Sequence, residues 1–193
     1  MAEPTMNVAD ASGDDNIILT GFMGTGKSTV GRVLATQIDY AFVDTDEIIE
    51  QRHGSIAAIF RERGEDAFRA IEQGVAEELA AHVRTVIATG GRMMLDASNI
   101  DALSRRGHIF CLVATPGEIL ARVTADDGRA NRPLLAGGDT QRMIIDLLAD
   151  RREGYERFEP IATDGRSPAA VADEIATRWR REAPSPAPAH DDR

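Results

Sequence analysis

The sequence predicts an α/β fold, a parallel sheet flanked by helices. Short apolar runs alternate with longer amphipathic stretches over residues 16–181, the rhythm of strand–helix–strand units. Three of the runs are nearly all apolar, as strands covered on both faces are. The first of them leads straight into a glycine-rich turn and a helical stretch.

The first strand is Asn16–Thr20 (NIILT), and a helix is expected over 27–38. A second strand at 41–44 (AFVD) precedes helices over 45–63 and 65–83. In the latter, Phe68, Ile71, Val75 and Leu79 recur at spacings of three and four and so share one face. The third strand, 85–89 (TVIAT), runs into Gly90-Gly91, and a helix over 97–105 leads to the fourth, 108–114 (HIFCLVA). Helices over 116–125 and 139–157, a fifth strand at 160–163 and a helix over 168–181 complete the order, without an internal repeat. Such an alternation implies right-handed crossovers and a ligand crevice at the carboxyl ends of the strands.

The chain has 193 residues, 42% apolar and 28% charged, with a formal charge of −10. This excludes a collagenous chain and disorder throughout. No apolar run approaches the roughly 20 residues of a membrane span, and the start lacks the basic-then-apolar pattern of a signal peptide. A cytoplasmic location is expected. The one cysteine, Cys111, can make neither an internal disulfide nor a thiolate cluster, and it reads as a buried small hydrophobe. The negative charge argues against nucleic acid and anionic membrane as partners, while leaving small anions open.

Residues 1–15 hold Glu3, Asp10, Asp14 and Asp15 without a base and read as a disordered leader. In 182–193, Pro184, Pro186 and Pro188 alternate with small residues, an extended, disordered tail. The domain is therefore 16–181. His53, His82 and His108 lie too far apart for a metal pair, and Trp179 is read as packing or capping the last helix.

Gly21-Phe22-Met23-Gly24-Thr25-Gly26-Lys27-Ser28 fits G-x-x-x-x-G-K-[ST] between a strand and a helix. Its backbone N–H groups, from Gly24, Thr25 and Gly26 through Thr29, would cradle phosphates at the helix's positive end. Lys27 would reach the β- and γ-phosphates, and the Ser28 hydroxyl would ligate Mg²⁺. Among 22 basic residues Lys27 is the only lysine, so a guanine-reading N-K-x-D motif is impossible. The strand ending in Gly90-Gly91 also lacks the Asp-Glu of helicase and motor ATPases.

The metal-ordering acid is expected instead at Asp44-Thr45-Asp46, two carboxylates that an extended chain would point to one side. One could orient a metal-bound water while the other accepts a proton from an attacking hydroxyl. On its own the pattern is more often a helix N-cap with a solvated neighbour. The phosphate loop upstream favours the chemical reading.

These residues resemble the shikimate kinases, within the nucleoside-monophosphate-kinase-like phosphotransferases. The resemblance runs through GFMGTGKSTVGRVLA (21–35), FVDTDEIIE (42–50), Gly54-Ser55-Ile56 with Ile59-Phe60, Gly64-Glu65, Phe68-Arg69, Thr89-Gly90-Gly91 and Arg132-Pro133-Leu134-Leu135. It implies a phosphate-loop kinase fold with a five-stranded parallel sheet of order 2-3-1-4-5 and a mobile lid. It also implies transfer of the ATP γ-phosphoryl group to the 3-hydroxyl of shikimate, with Mg²⁺ as cofactor and a monomeric enzyme. Asp44 would hold the Mg²⁺ shell through water, and Asp46 would bind the substrate hydroxyls as base. Arg69 and Arg151 would grip the substrate carboxylate, and Gly91 would donate its N–H. Arg132 would act from a lid at about 124–140, with Arg129 a nearby competitor, and Arg166 beside Pro168 would lie by the adenine. The residue types suit this, since guanidinium forks pair bidentately with carboxylates. In isolation, Arg69 reads as a surface partner of Glu72 and Arg151 as a solvated residue.

The pattern departs in two places. Family members usually carry a third glycine where this chain has Arg92; its side chain either turns outward or enters the acceptor pocket as a third cation. Arg151-Arg152 also replaces the usual approach to Tyr155, and Arg151 is chosen because it lies four residues before that tyrosine. Two alternatives stay open: a paralogue acting on another hydroxy acid, such as gluconate or a quinate-like ring, and a nucleotide-binding regulatory protein without phosphotransfer.

Overall fold

The computed structural model describes residues 15–125 and 139–182. Five parallel strands are ordered β2-β3-β1-β4-β5: β1 Asn16–Thr20, β2 Ala41–Asp44, β3 Thr85–Ala88, β4 Gly107–Val113 and β5 Glu159–Ala162. The order is the one the resemblance implied. Central β1 pairs on both sides, Ile18 facing Ile87 of β3 and Ile109 of β4.

Every residue of β1 and β3 is buried, and the pleat explains why such strands lack polar alternation. Ile17 and Leu19 point to a layer formed with Leu34 of α1 (Lys27–Ile38) and Val171, Ile175 and Trp179 of α7 (Pro168–Glu182). Ile18 points the other way, into a core with Ile49 of α2 (Thr45–His53), Phe68, Val75 and Leu79 of α3 (Ile56–Leu79) and Leu103 of α4 (Ala97–Ser104). A third cluster joins Phe22 and Cys111 to Ile119 and Val123 of α5 (Pro116–Ala125) and to Ile144 and Tyr155 of α6 (Thr140–Glu156). Each such buried side chain contributes roughly 1.5–3 kcal/mol, so the sheet is held from both faces. Trp179 packs into the core. Cys111 is buried, and burial pushes its thiol up to about 11.

The helices expected over 45–63 and 65–83 divide differently. Gly54, at φ 85°, ends α2, and the Ser55 side chain accepts from the Ala58 N–H to start α3. The break expected between 63 and 65 is present as a kink: Gly64 keeps a non-helical φ of 81° inside α3, bending the chain just before Glu65 and Arg69. A short 3-10 turn at Met93–Leu95 also follows β3. Among the described residues, no helix is long and apolar enough to cross a membrane. The expected leader up to Asp14, the lid positions 126–138 with Arg129 and Arg132, and the tail from 183 lie outside the described residues.

Candidate active site

The site gathers where β1, β2 and β3 end. The turn after β1 needs glycine for steric reasons: a Cβ on Gly21 would lie 2.2 Å from the Leu112 carbonyl oxygen, and one on Gly24 2.9 Å from Val123. Gly26 caps α1 in the left-handed region, φ 94°, where glycine is at home. The Thr25 hydroxyl donates to the Phe22 carbonyl at 2.8 Å. Lys27 Nζ folds back to the carbonyls of Gly21 and Phe22 at 2.9 and 3.0 Å, holding its charge over the loop.

Ser28 and Asp44 come together as expected. The Ser28 hydroxyl donates to Asp44 Oδ2 at 2.5 Å, while Asp44 Oδ1 accepts from the N–H groups of Asp46 and Glu47 at 3.0 and 3.4 Å. Asp44 therefore caps α2, as the helix-cap reading expects, and faces the phosphate loop with its second oxygen. The expectation that Asp44 and Asp46 project from one extended strand is not met. The chain turns helical at Thr45 because Asp44 satisfies the first free N–H groups of α2, and Asp46 reaches the site from that helix's first turn.

Asp46 is largely enclosed. Burial, and then the charge of Asp44, push its carboxyl up to about 6, against the opposing pull of Lys27 and Arg69. Thr45 Oγ1 accepts from the Gly90 N–H at 2.9 Å. This bond brings the loop after β3 so near that a Cβ on Gly90 would lie 2.7 Å from Asp46 Oδ1 and 3.1 Å from Glu72 Oε1. Gly91 lies next to the phosphate loop and Arg151: a Cβ there would be 3.8 Å from the Gly21 carbonyl oxygen and 3.9 Å from Arg151 Nη1. Its carbonyl accepts from the Tyr155 hydroxyl.

Arg69 does pair with Glu72, as its isolated reading expects, but away from the surface: Glu72 is 1% exposed. Burial pushes Glu72 up to about 7 in spite of Arg69. At the other end of the pair, burial opposes the Arg69 charge, yet Glu72 and Glu65 outweigh it and raise the Arg69 pKa. The difference is physical, since Arg69 answers to two carboxylates while Glu72 lies deeper and also faces Asp46. Arg151 is buried, with its guanidinium 5.3 Å from the centre of the Phe22 ring. Arg152 is exposed and pairs with Glu156 at 2.5 Å. Arg151 is thus the inward member of the two, on the same helix face as Tyr155. Arg92 turns toward Glu65, at 2.9 Å. Its φ of −111° is ordinary for any side chain, so a third glycine is not required there.

On the far side of the phosphate loop a cleft of about 330 Å³ is lined by Thr25, Gly26, Thr29, Arg122, Arg166 and Pro168, among others. Arg166 is held by Glu174 at 2.5 Å and by the carbonyls of Ala162 and Ala170, each at 2.9 Å. Arg122 was not singled out from the sequence, where it reads only as an i,i+4 partner of Glu118. In the fold it donates to the carbonyls of Gly24 at 3.3 Å and Thr25 at 3.4 Å and to both oxygens of Thr163. It ties the phosphate loop to the segment after β5. The burial of Glu72 is likewise not legible in the sequence, because an i,i+3 spacing from Arg69 says nothing about depth.

The arrangement can lay a polyphosphate along the loop and seat a second, carboxylate-bearing molecule by Gly90–Gly91, with a carboxylate base between. No group of three or more His, Cys, Asp or Glu among the described residues could cage a metal. Ser28 and Asp44, joined by a hydrogen bond, are the groups here that could hold a hard divalent cation such as Mg²⁺ together with phosphate and water.

The family model for shikimate kinase matches residues 23–180. A shikimate kinase of Thermodesulfovibrio yellowstonii is 40% identical over 168 residues, 86% of this chain and 95% of that one. One from Chromohalobacter salexigens is 43% identical over 168 residues, 86% and 92% of the two chains. Among solved structures, a shikimate kinase from Acinetobacter baumannii in complex with shikimate superimposes with a TM-score of 0.82 at 33% identity, covering 89% of this chain and 96% of that one. A gluconokinase from Sinorhizobium meliloti, at 18% identity and a TM-score of 0.61 over 88% of this chain and 94% of its own, shares the fold.

Proposed function

Because this chain belongs to the shikimate kinase family, we propose that it transfers the γ-phosphoryl group of ATP to the 3-hydroxyl of shikimate. The products are ADP and shikimate 3-phosphate, within chorismate and aromatic amino acid biosynthesis. The observation that carries the reading is the meeting, across Gly90–Gly91, of Asp46, the Arg69–Glu72 pair and Arg151 beside the phosphate loop. A polyol acid needs cations for its carboxylate and an acceptor for its hydroxyl proton, and both kinds of group lie together there.

In this mechanism the backbone of Gly24 to Thr29 and the Lys27 ammonium hold the phosphates, and Arg122, Arg166 and Pro168 flank the nucleoside cleft. Arg69 and Arg151 fix the acceptor carboxylate, each charge-assisted bond contributing roughly 1.5–3 kcal/mol, and the Gly91 N–H adds a donor. Asp46 takes the proton of the 3-hydroxyl as its oxygen bonds to the γ-phosphorus and the bond to the β-phosphate oxygen breaks. Its raised pKa suits a base working near neutrality. Ser28, and Asp44 through water, would hold Mg²⁺, which supplies charge neutralisation on the phosphates when bound. Arg132 adds a cation from the lid. The enzyme works as a cytoplasmic monomer.

A coupled ADP-release assay with ATP and Mg²⁺ across shikimate, gluconate and quinate tests the reading. Turnover with shikimate is expected. Turnover only with another acid, or ligand binding without ADP release, overturns it.

A further inference from the structure

Glu65 is an internal carboxylate placed where Arg69 would hold an external one. Its Oε1 accepts from Arg69 Nη2 at 2.9 Å, from Arg69 Nε at 3.2 Å and from Arg92 Nη1 at 2.9 Å. The Nε–Nη2 edge is a face with which a guanidinium grips a carboxylate, so the chain's own glutamate occupies it. Hydrogen bonding to Arg69, and then the charges of Arg69, Arg92 and Arg151, hold the Glu65 carboxyl below its usual range; it stays ionised at neutral pH.

The two carboxylates on Arg69 are unequal. The Glu72 side chain is 2% exposed and cannot leave without stranding a buried group. The Glu65 side chain is 48% exposed and the Arg92 side chain 47%, so Glu65 can detach from Arg69 toward water at little cost while Arg92 still holds it.

We propose that Glu65 is an exchangeable counter-ion of Arg69, displaced by the acceptor carboxylate, and that Arg92 is the cation that retains Glu65 once Arg69 has turned to the acceptor. This rests on the reading that Arg69 binds the acceptor carboxylate. Both are positioning residues, and together they favour acidic acceptors, because a neutral polyol offers nothing to replace Glu65.

The test is steady-state kinetics with shikimate. Arg92→Ala is expected to raise KM for shikimate roughly two- to fivefold, the reach of a half-exposed ion pair, with kcat and KM for ATP unchanged; Arg92→Lys restores the wild-type value. Glu65→Gln is expected to lower KM by a similar factor, and adding Arg92→Ala to it has no further effect. An equal rise in both backgrounds would mean that Arg92 touches the acceptor itself and overturns the proposal. So does a rise in KM on Glu65→Gln, which would make Glu65 a brace for Arg69, an absence of change in either variant, or a parallel rise in KM for ATP. Failure of the wild-type chain to phosphorylate shikimate at all overturns the underlying reading, a result distinct from any of these.

Discussion

Ser28 donates its hydroxyl proton to Asp44 across 16 residues of sequence, at 2.5 Å. The bond fastens the start of α1 to the end of β2, and Asp44 caps α2 at the same time. The two tasks separate by substitution. Asp44→Asn keeps an oxygen for the cap while removing the charge that orders a metal shell, so the Mg²⁺ needed for half-maximal rate should rise at least about tenfold with little change in melting temperature. Asp44→Ala should lose stability as well, about 1 kcal/mol. Magnesium titrations beside thermal melts check both; a normal Mg²⁺ requirement in Asp44→Asn removes Asp44 from metal binding.

Gly90 is fixed by its neighbours' oxygens. A Cβ there would press on Asp46 Oδ1 at 2.7 Å, and the carboxylate must move to make room. Gly90→Ala should fold, since overpacking costs about 1–3 kcal/mol, yet lose roughly 10- to 100-fold in kcat through misplacement of the base. Circular dichroism with kcat measurement tests this, and an active Gly90→Ala protein would show that Asp46 has freedom to shift.

Asp46 links pH to both stability and rate. Its folded pKa, about 6, lies above the ordinary 3.8, so the native chain keeps this proton longer than the unfolded one. The stability that goes with the protonated form is complete below about pH 4 and is lost as pH rises through about 6. Asp46→Asn should therefore melt higher than the wild type at about pH 8, on the order of 2 kcal/mol more stable, with the gain vanishing near pH 4. The same ionisation predicts a wild-type kcat/KM that climbs through about pH 6 to a plateau, and near-complete loss of turnover in Asp46→Asn. Equal melting temperatures at both ends of the pH range would contradict the buried-carboxylate account.

Arg132 is assigned by sequence register alone. Arg132→Ala should lower kcat by up to roughly 10³, the scale of an arginine finger, with ATP and shikimate still bound. Wild-type turnover in that variant would transfer the role to another cation, Arg129 first.

Local pattern carried much of this into view. Nearly all-apolar runs at Asn16–Thr20 and 85–89 marked strands covered on both faces, and Gly21 to Ser28 marked a phosphate cradle, because glycine, lysine and serine at fixed spacing leave the backbone few other uses. The break expected at residue 64 is present as the non-helical Gly64, but the break at 54–55 is not legible in the pattern, since a left-handed Gly54 and a capping Ser55 act within two residues. Asp46 was legible as a carboxylate beside the site but not as a helical, enclosed one.

What the sequence by itself determined is therefore the order of elements, the phosphate loop and a family register for Asp44, Asp46, Arg69 and Arg151. Tertiary structure alone decided which of those groups are buried and what they face. Glu72 lies behind Arg69, Arg122 ties the loop to Thr163, Arg151 turns inward while Arg152 stays in solvent, and Arg92 reaches Glu65. The reason is physical: propensity and periodicity act over a few residues, whereas burial and charge pairing arise from contacts between segments that only the folded sheet brings together.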